Sequence, residues 1–361
     1  MIDEFFMKRA IKLARKGRGS VSPNPMVGAL LVRNGKIIGQ GYHRRFGGPH
    51  AEINAIRNAK ENVAGSTLYV TLEPCCHEGK TPPCVDSIIA HKIARVVIGS
   101  IDANPLVSCQ GIDVLRQNGI EVQTGILADE CRKLNEVFFH YMETGKPFVT
   151  IKYAQTLDGR IATSSGQSQW ISSGASLQFA HRLRADHDAI LVGCGTVIQD
   201  NPALTVRLVR GRNPLRVIVD SHLRIPLNAK VFDQQSVAKT LVVTTVDKTH
   251  LKWKKLEDKG VEMMSIKADQ EDHVNLKILF KRLSQKNISS ILIEGGANIL
   301  TSVLRQNIAD RLVVVMAPKI IGRGIEAIGD LNIRTLKAAK KISIESVIRL
   351  EDDIIIDGRF T

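Results

Sequence analysis

Three potential metal ligands constrain this chain most: His50 within His50-Ala51-Glu52, Cys75 directly after Pro74, and Cys84 nine positions further on. A catalytic zinc takes three protein ligands, typically His nitrogens and Cys thiolates, and keeps its fourth position for water. On a helix, positions two apart do not share a face, so Glu52 is expected beside such a water and not on the metal. Zinc lowers the pKa of its water to about 7, and a neighbouring carboxylate can then relay the protons. The bland alternative is a pair of ordinary buried thiols with a satisfied polar His50. A purely structural zinc would use four protein ligands. Cys76 is a spare thiol that could compete for the metal, though as a loop neighbour of Cys75 it is expected to point elsewhere.

The 361 residues suffice for two domains. Residues 3–16 carry apolar side chains at helical spacing, with Asp3 as the expected N-cap. Strands are expected at 27–32 and 36–42, flanking Asn34-Gly35, a favoured pair for a type I′ hairpin turn. A helix near 50–60, a strand at 67–71, a loop rich in Cys, Gly and Pro, a helix from about Val85 and a strand at 94–98 follow. Such alternation argues for a sheet with helices on its faces. The pattern breaks at Thr144-Gly145-Lys146-Pro147, and a new strand starts at Phe148. Strands are then expected near 189–193, 215–219, 240–244, 289–294 and 311–316. The expected fold class is α/β in two domains, 1–145 and 146–361.

The formal charge of +14 and the pI near 9.6 invite a polyanionic partner, but equally permit an enzyme of small phosphorylated substrates. The basic residues are scattered, and aromatics, at 4%, are poor material for base-stacking platforms. No apolar run approaches the length of a membrane span, and the N-terminus does not read as a signal peptide. Six cysteines are too few for a disulfide scaffold in a chain this long, so a cytoplasmic protein is expected.

His-x-Glu followed by Pro-Cys-x-x-Cys is the zinc signature of the hydrolytic nucleobase deaminases; here the interval between the cysteines is longer. Glu73-Pro74-Cys75-Cys76-His77-Glu78-Gly79-Lys80-Thr81-Pro82-Pro83-Cys84 resembles the loop of the bifunctional riboflavin-biosynthesis deaminase/reductases. Pro23-Asn24-Pro25-Met26-Val27-Gly28 and His50-Ala51-Glu52 resemble that family's other deaminase motifs, and the longer Cys–Cys interval is the family's own form. The resemblance implies a cytidine-deaminase-like αβα domain in which His50, Cys75 and Cys84 hold Zn²⁺ and Glu52 is the catalytic proton shuttle. Asn24, His43, His77, Lys80, Asp102 and Asn104 would line the pyrimidine and phosphoribosyl site. Three departures touch none of the ligands: Ser22 where the family has His, Cys76 where it has Ser, and Ser108-Cys109-Gln110-Gly111 where its turn is richer in Gly and Arg.

The second part is less eloquent on its own. Gly193-Cys194-Gly195 lacks the remainder of a Rossmann fingerprint, and Gly295-Gly296 before a helix at 297–305 reads equally as a phosphate cradle or an ordinary turn. Asp158-Gly159-Arg160-Ile161-Ala162, Ser168-Gln169-Trp170-Ile171, Gly193 to Arg207 and Glu294-Gly295-Gly296 resemble the reductase half of the same family. That half is similar to dihydrofolate reductase in fold and uses NADPH. The resemblance implies Ala154, Trp170, Thr196, Asp200, Ser221 and Gly296 around the cofactor, and Ser168, Arg184, Leu204, Arg207 and Glu294 around the substrate. Asp200 and Lys152 are candidates for proton delivery. Small phosphoribosyl pyrimidines are the expected partners, with no nucleic acid or membrane, in a homo-oligomer of two or four chains. The rival reading is a zinc-dependent deaminase of a nucleic-acid base, such as one in tRNA. Residues 230 to 285 carry no motif.

Overall fold

The computed structural model describes residues 2–78, 82–103 and 109–361. They fold as two compact units, Met1–Gly145 and Lys146–Thr361. In the first, the elements run α1 (Ile2–Ala14), β1 (Gly28–Arg33), β2 (Lys36–Tyr42), α2 (Ala51–Arg57), β3 (Thr67–Leu72), α3 (Cys84–Ala90), β4 (Arg95–Ser100), α4 (Gln110–Gln117), β5 (Glu121–Gln123), α5 (Ala128–Leu134) and α6 (Glu136–Thr144). The hairpin turns where the sequence places it, with Asn34 and Gly35 both at positive φ as a type I′ turn requires.

The sheet order is β2-β1-β3-β4-β5, with β1 antiparallel to both neighbours and β3, β4 and β5 parallel. Alternation along β1 sends Ala29 and Leu31 to one face and Leu30 and Val32 to the other. α2, α3 and α4 cover the first face through Ala51, Ala55, Val85, Ile88, Ile112 and Leu115; α1 covers the second through Phe6, Met7, Ala10 and Ile11. Each large apolar side chain buried this way contributes about 1.5–3 kcal/mol. Because β1 runs against β3, the segment entering β1 lies at the same sheet edge as the exits of β3 and β4.

The second unit comprises β6 (Phe148–Thr156), β7 (Arg160–Thr163), α7 (Gly174–Asp186), β8 (Ala189–Gly193), α8 (Cys194–Asp200), β9 (Leu215–Val219), β10 (Thr240–Thr244), α9 (Leu251–Glu257), β11 (Glu262–Ser265), α10 (Leu276–Gln285), β12 (Ser290–Ile293), α11 (Ala297–Arg305), β13 (Arg311–Ala317), β14 (Gly324–Glu326), β15 (Ile342–Leu350) and β16 (Asp353–Phe360). Its main sheet has the order β11-β10-β9-β8-β12-β6-β13-β16-β15, parallel up to β13 and closed by an antiparallel pair. β7 and β14 form a separate ribbon. Along β8, Ala189 and Leu191 pack with α10 and α11, while Ile190 and Val192 pack with Val197 and Leu256 on the other face. The chain leaves β6, builds outward from β8 to β11, then returns to insert β12 between β8 and β6. Such reversals open a crevice at the carboxyl ends of the strands, where ligands of open α/β sheets bind. Among the described residues, no helix is long and apolar enough to cross a membrane.

Asp3 lies inside the first turn of α1 and does not cap it. Its carboxylate accepts hydrogen bonds from the Tyr69 hydroxyl (2.6 Å) and from Arg95 Nη1 and Nη2 (3.1 and 2.9 Å). The Arg95 hydrogen bond in particular holds the Asp3 carboxyl below its ordinary value. A depressed native pKa gives stability that is present above the unfolded value of about 3.9 and is lost as pH falls through the folded one. Asp3→Asn is therefore expected to lower the thermal midpoint at neutral pH and to flatten its fall below about pH 4. Identical pH profiles for parent and variant would contradict this assignment.

Candidate active sites

His50 precedes α2 in extended backbone, Glu52 sits in the first turn of that helix, Cys75 follows the exit of β3, and Cys84 opens α3. The ends of three elements thus converge. His50 Nδ1 lies 3.2 Å from Cys84 Sγ and 3.5 Å from Cys75 Sγ, and the three donor atoms all fall within 4.8 Å of one another. Zinc bonds of about 2.3 Å to sulfur and 2.0–2.1 Å to nitrogen put tetrahedral N···S edges at about 3.6 Å, so the donor set fits zinc. Cys84 N–H donates to Cys75 Sγ at 3.4 Å. Hydrogen bonding from Cys84, reinforced by His50, holds the Cys75 thiol well below its ordinary value, which favours the thiolate form that a metal ligand needs. Cys76 turns away toward Gln110, as expected for a spare thiol.

Glu52 is buried, and its Oε2 has no hydrogen-bond partner among the described residues. Desolvation pushes its pKa up to about 7. A carboxyl poised there can both accept and return a proton near neutral pH. A cavity of about 270 Å³ over the triad is lined by Asn24, His43, His50, Glu52, Glu73, Cys75, His77 and Asp102, with Phe46, Phe138 and Met142 as apolar walls. Four residues named from the resemblance, Asn24, His43, His77 and Asp102, thus share one pocket with the ligands. His43 Nδ1 lies 3.2 Å from Pro49 O, so it carries the proton, and Nε2 accepts from Asn24 Nδ2 at 3.4 Å. Burial holds His43 neutral, which fixes the orientation of the Asn24 amide. Lys80, Asn104 and Ser108 lie outside the described residues.

In the second unit several of the named residues form hydrogen-bonded pairs beyond the ends of strands. Glu294, one residue beyond β12, accepts from Arg184 Nε at 3.2 Å and Nη2 at 2.6 Å. Burial opposes the Glu294 charge, but Arg184 and Lys152 hold its pKa below the ordinary value. Lys152 on β6 is itself pushed down by desolvation. Arg184 Nη1 reaches Thr205 O, and Arg207 Nη1 donates to Thr205 Oγ1 at 2.8 Å, so both arginines anchor one loop. Leu204 in that loop is buried and left-handed (φ 54°). Ser168 Oγ donates to Asp200 Oδ1 at 3.0 Å, and Gly296 N–H donates to Thr196 Oγ1 at 3.0 Å.

Ala154 lies near the end of β6. Ser221, beyond β9, accepts from Val274 N–H, and Trp170, 65% exposed, offers its carbonyl to Lys319. A Cβ built on Gly195 meets nothing within 4 Å, and one on Gly296 meets only Thr196 Oγ1, at 3.6 Å. Neither glycine is explained by internal crowding or by positive φ. Open backbone at two strand-to-helix turns is the cradle that a dinucleotide phosphate fills, so the residues fit NADPH.

Two groups escaped the sequence reading. His181, held down at about 4 by burial and by Arg184 and Arg207, accepts from Arg207 N–H through Nδ1 at 2.9 Å. Glu73 accepts from four backbone amides that lie far along the chain. Neither partner set is adjacent in sequence, although the position of Glu73 directly before Pro74-Cys75 was a visible flag.

Comparison with known proteins agrees with both halves. Residues 147–356 match the RibD C-terminal domain, and residues 1–100 match the cytidine and deoxycytidylate deaminase zinc-binding region. The riboflavin biosynthesis protein RibD of Aquifex aeolicus is 47% identical over 98% of each chain, and that of Escherichia coli is 39% identical over 89% of each. A solved RibD of Acinetobacter baumannii superposes with a TM-score of 0.90 at 36% identity, covering 100% of this chain and 99% of that one. A Thermotoga maritima structure described as a diaminohydroxyphosphoribosylaminopyrimidine deaminase/5-amino-6-(5-phosphoribosylamino)uracil reductase gives 0.88 at 39% identity, with the same coverage. The signatures of both halves occur in order on one chain and are matched end to end, so the chain belongs to the RibD family of riboflavin biosynthesis proteins.

Proposed function

We propose that this chain performs two consecutive steps of riboflavin synthesis. The first unit, 1–145, deaminates 2,5-diamino-6-ribosylamino-4(3H)-pyrimidinone 5′-phosphate hydrolytically. The second, 146–361, reduces 5-amino-6-(5-phosphoribosylamino)uracil to its ribitylamino form with NADPH. What carries the reading is the zinc-fitting His50, Cys75 and Cys84 triad, of which His50 and Cys75 line one cavity with Glu52, whose buried Oε2 has no hydrogen-bond partner among the described residues.

A zinc ion held by these three residues supplies a water of lowered pKa. Glu52 takes a proton from the attacking water and delivers it to the amino nitrogen that leaves as ammonia, so one C–N bond is replaced by one C–O bond. Asn24, oriented by His43, is placed to hold the pyrimidine, with His77 and Asp102 on the same wall; Lys80 and Asn104 complete the proposed substrate set. In the reductase, bound NADPH supplies the reducing equivalent. Ala154, Trp170, Thr196, Asp200, Ser221 and Gly296 are its proposed contacts. Arg184 and Arg207 suit a phosphate through planar paired donors, with Ser168, Leu204 and Glu294 shaping the ribosyl site. Lys152, whose pKa is lowered by desolvation, and Asp200 remain the two candidate proton donors.

A deaminase of nucleic-acid bases has no use for the second unit, so nucleic acid is left out of the proposed partners, and a cytoplasmic setting is proposed. A homo-oligomer is favoured by the terminal hairpin. Ile344, Val347 and Ile354 share one face of β15 and β16 and are 40–61% exposed, and β15 ends the sheet. Contiguous exposed apolar residues of this kind mark association surfaces.

Glu52→Gln is expected to keep one zinc equivalent per chain while ammonia release falls at least about 10²-fold. Normal deamination in that variant would refute the mechanism. A chain starting at Lys146 is expected to oxidise NADPH only when given the deaminated intermediate. No NADPH binding by that chain would refute the division of labour. Replacing Ile344 and Val347 together by Glu is expected to lower the mass seen by light scattering; an unchanged oligomer would exclude this hairpin as the interface.

A further inference from the structure

Glu73 is almost fully buried and sits between the last residue of β3 and the Pro74-Cys75 ligand segment. Its Oε2 accepts from the backbone N–H of Asp102 at 3.3 Å and of Cys109 at 3.1 Å. Its Oε1 accepts from Gly111 N–H at 3.1 Å and Ile112 N–H at 3.4 Å. One carboxylate therefore joins the metal loop to two further segments, the pocket residue Asp102 and the start of α4. The N-cap residue Cys109 does not cap α4 with its own side chain and stands at φ 64° in the left-handed region. A negative charge on the first amides of a helix stabilises that end. Here the charge comes from a distant strand, so it also fixes where the helix begins.

Gly111 is the second observation. A Cβ on it would meet Pro74 O at 2.2 Å and Glu73 Oε1 at 3.3 Å. Its φ is ordinary, so close approach to the Glu73-Pro74 backbone is what requires the glycine at this position. Carboxylate and glycine together dock the Asp102 and α4 segments against the ligand loop with no slack.

We infer that Glu73, seated by Gly111, is a positioning residue of the deaminase site that sets the placement of Asp102 relative to the metal ligands and thereby substrate affinity. This rests on the deaminase reading above. Both Glu73 oxygens are taken up by backbone amides, whereas Glu52 Oε2 has no partner among the described residues, so the proton shuttle is assigned to Glu52. Glu73 acts through the backbone of Asp102, and the step it serves is binding.

The test uses the full zinc-loaded chain with the diaminopyrimidine ribosyl phosphate. In Glu73→Gln one oxygen is replaced by an NH₂ that cannot accept, so two of the four amides lose their partner. KM for deamination is expected to rise about five- to a hundredfold, the usual effect of orphaning a buried donor, with kcat little changed. Zinc content and the reductase constants should stay at parental values. Amide hydrogen exchange, measured with and without zinc, should speed up at 102 and 109–112 and not elsewhere. In an Asp102→Asn background the further effect of Glu73→Gln should shrink, because the two act as one unit. Gly111→Ala leaves the carboxylate intact and is expected to give the same KM-selective loss. Unchanged KM in either soluble variant overturns the inference, as does zinc loss with a parallel fall in kcat. Insolubility of both variants also overturns it, making Glu73 a folding residue. A parent chain that releases no ammonia from the substrate refutes the deaminase reading itself, which is a separate result.

Discussion

A carboxylate taken out of water must be met by donors or it destabilises the fold, and each unit carries one directly beyond a buried strand. Glu73 follows β3 and Glu294 follows β12. Each still donates one backbone hydrogen bond to the neighbouring strand, Glu73 to Ser100 O and Glu294 to Leu191 O, and the chain beyond leaves the sheet as a loop. In the first unit the donors are four main-chain amides. In the second they are the guanidinium of Arg184, with Lys152 adding charge from β6. Both carboxylates thus turn irregular chain at the carboxyl ends of strands into fixed walls, and the cavity over the zinc triad has Glu73 in its lining.

The two sites differ in their electrostatics. The first is desolvated, so His43 is held uncharged and Glu52 is raised into the range where it can carry a proton both ways. The second gathers Lys152, Arg184 and Arg207 about a single buried glutamate and holds His181 neutral among them. That excess of cations suits the phosphorylated substrate and phosphate-rich cofactor proposed for this unit. Under that proposal, part of the +14 formal charge has a local use.

Much of the layout was legible in the chain itself. The Asn34-Gly35 turn, the alternation along β1 and the helical spacing of α1 follow from local rules, and the structure keeps them with small shifts at the ends. Asp3 was misread as a cap because its partners, Tyr69 and Arg95, lie 66 and 92 positions away. β15 and β16 were not foreseen. A bulge between Ile344 and Ser346 breaks their alternation, and apolar residues remain exposed on the hairpin. The short β7 and β14 ribbon pairs segments about 160 positions apart, which no local pattern reports.

Residue identity and spacing determined the chemistry: a His, a Glu and two Cys in this order select a zinc-assisted hydrolysis before any fold is known, because ligand type and number restrict the metal. Tertiary structure alone decided which side chains those ligands meet. That Asn24 is oriented by His43, that Glu52 loses its water, and that Glu73 gathers amides from 102 to 112 all depend on strand order and burial. Desolvation and hydrogen bonding act through space between segments far apart in sequence, so their effect appears only once β1, β3 and β4 bring their ends to one edge.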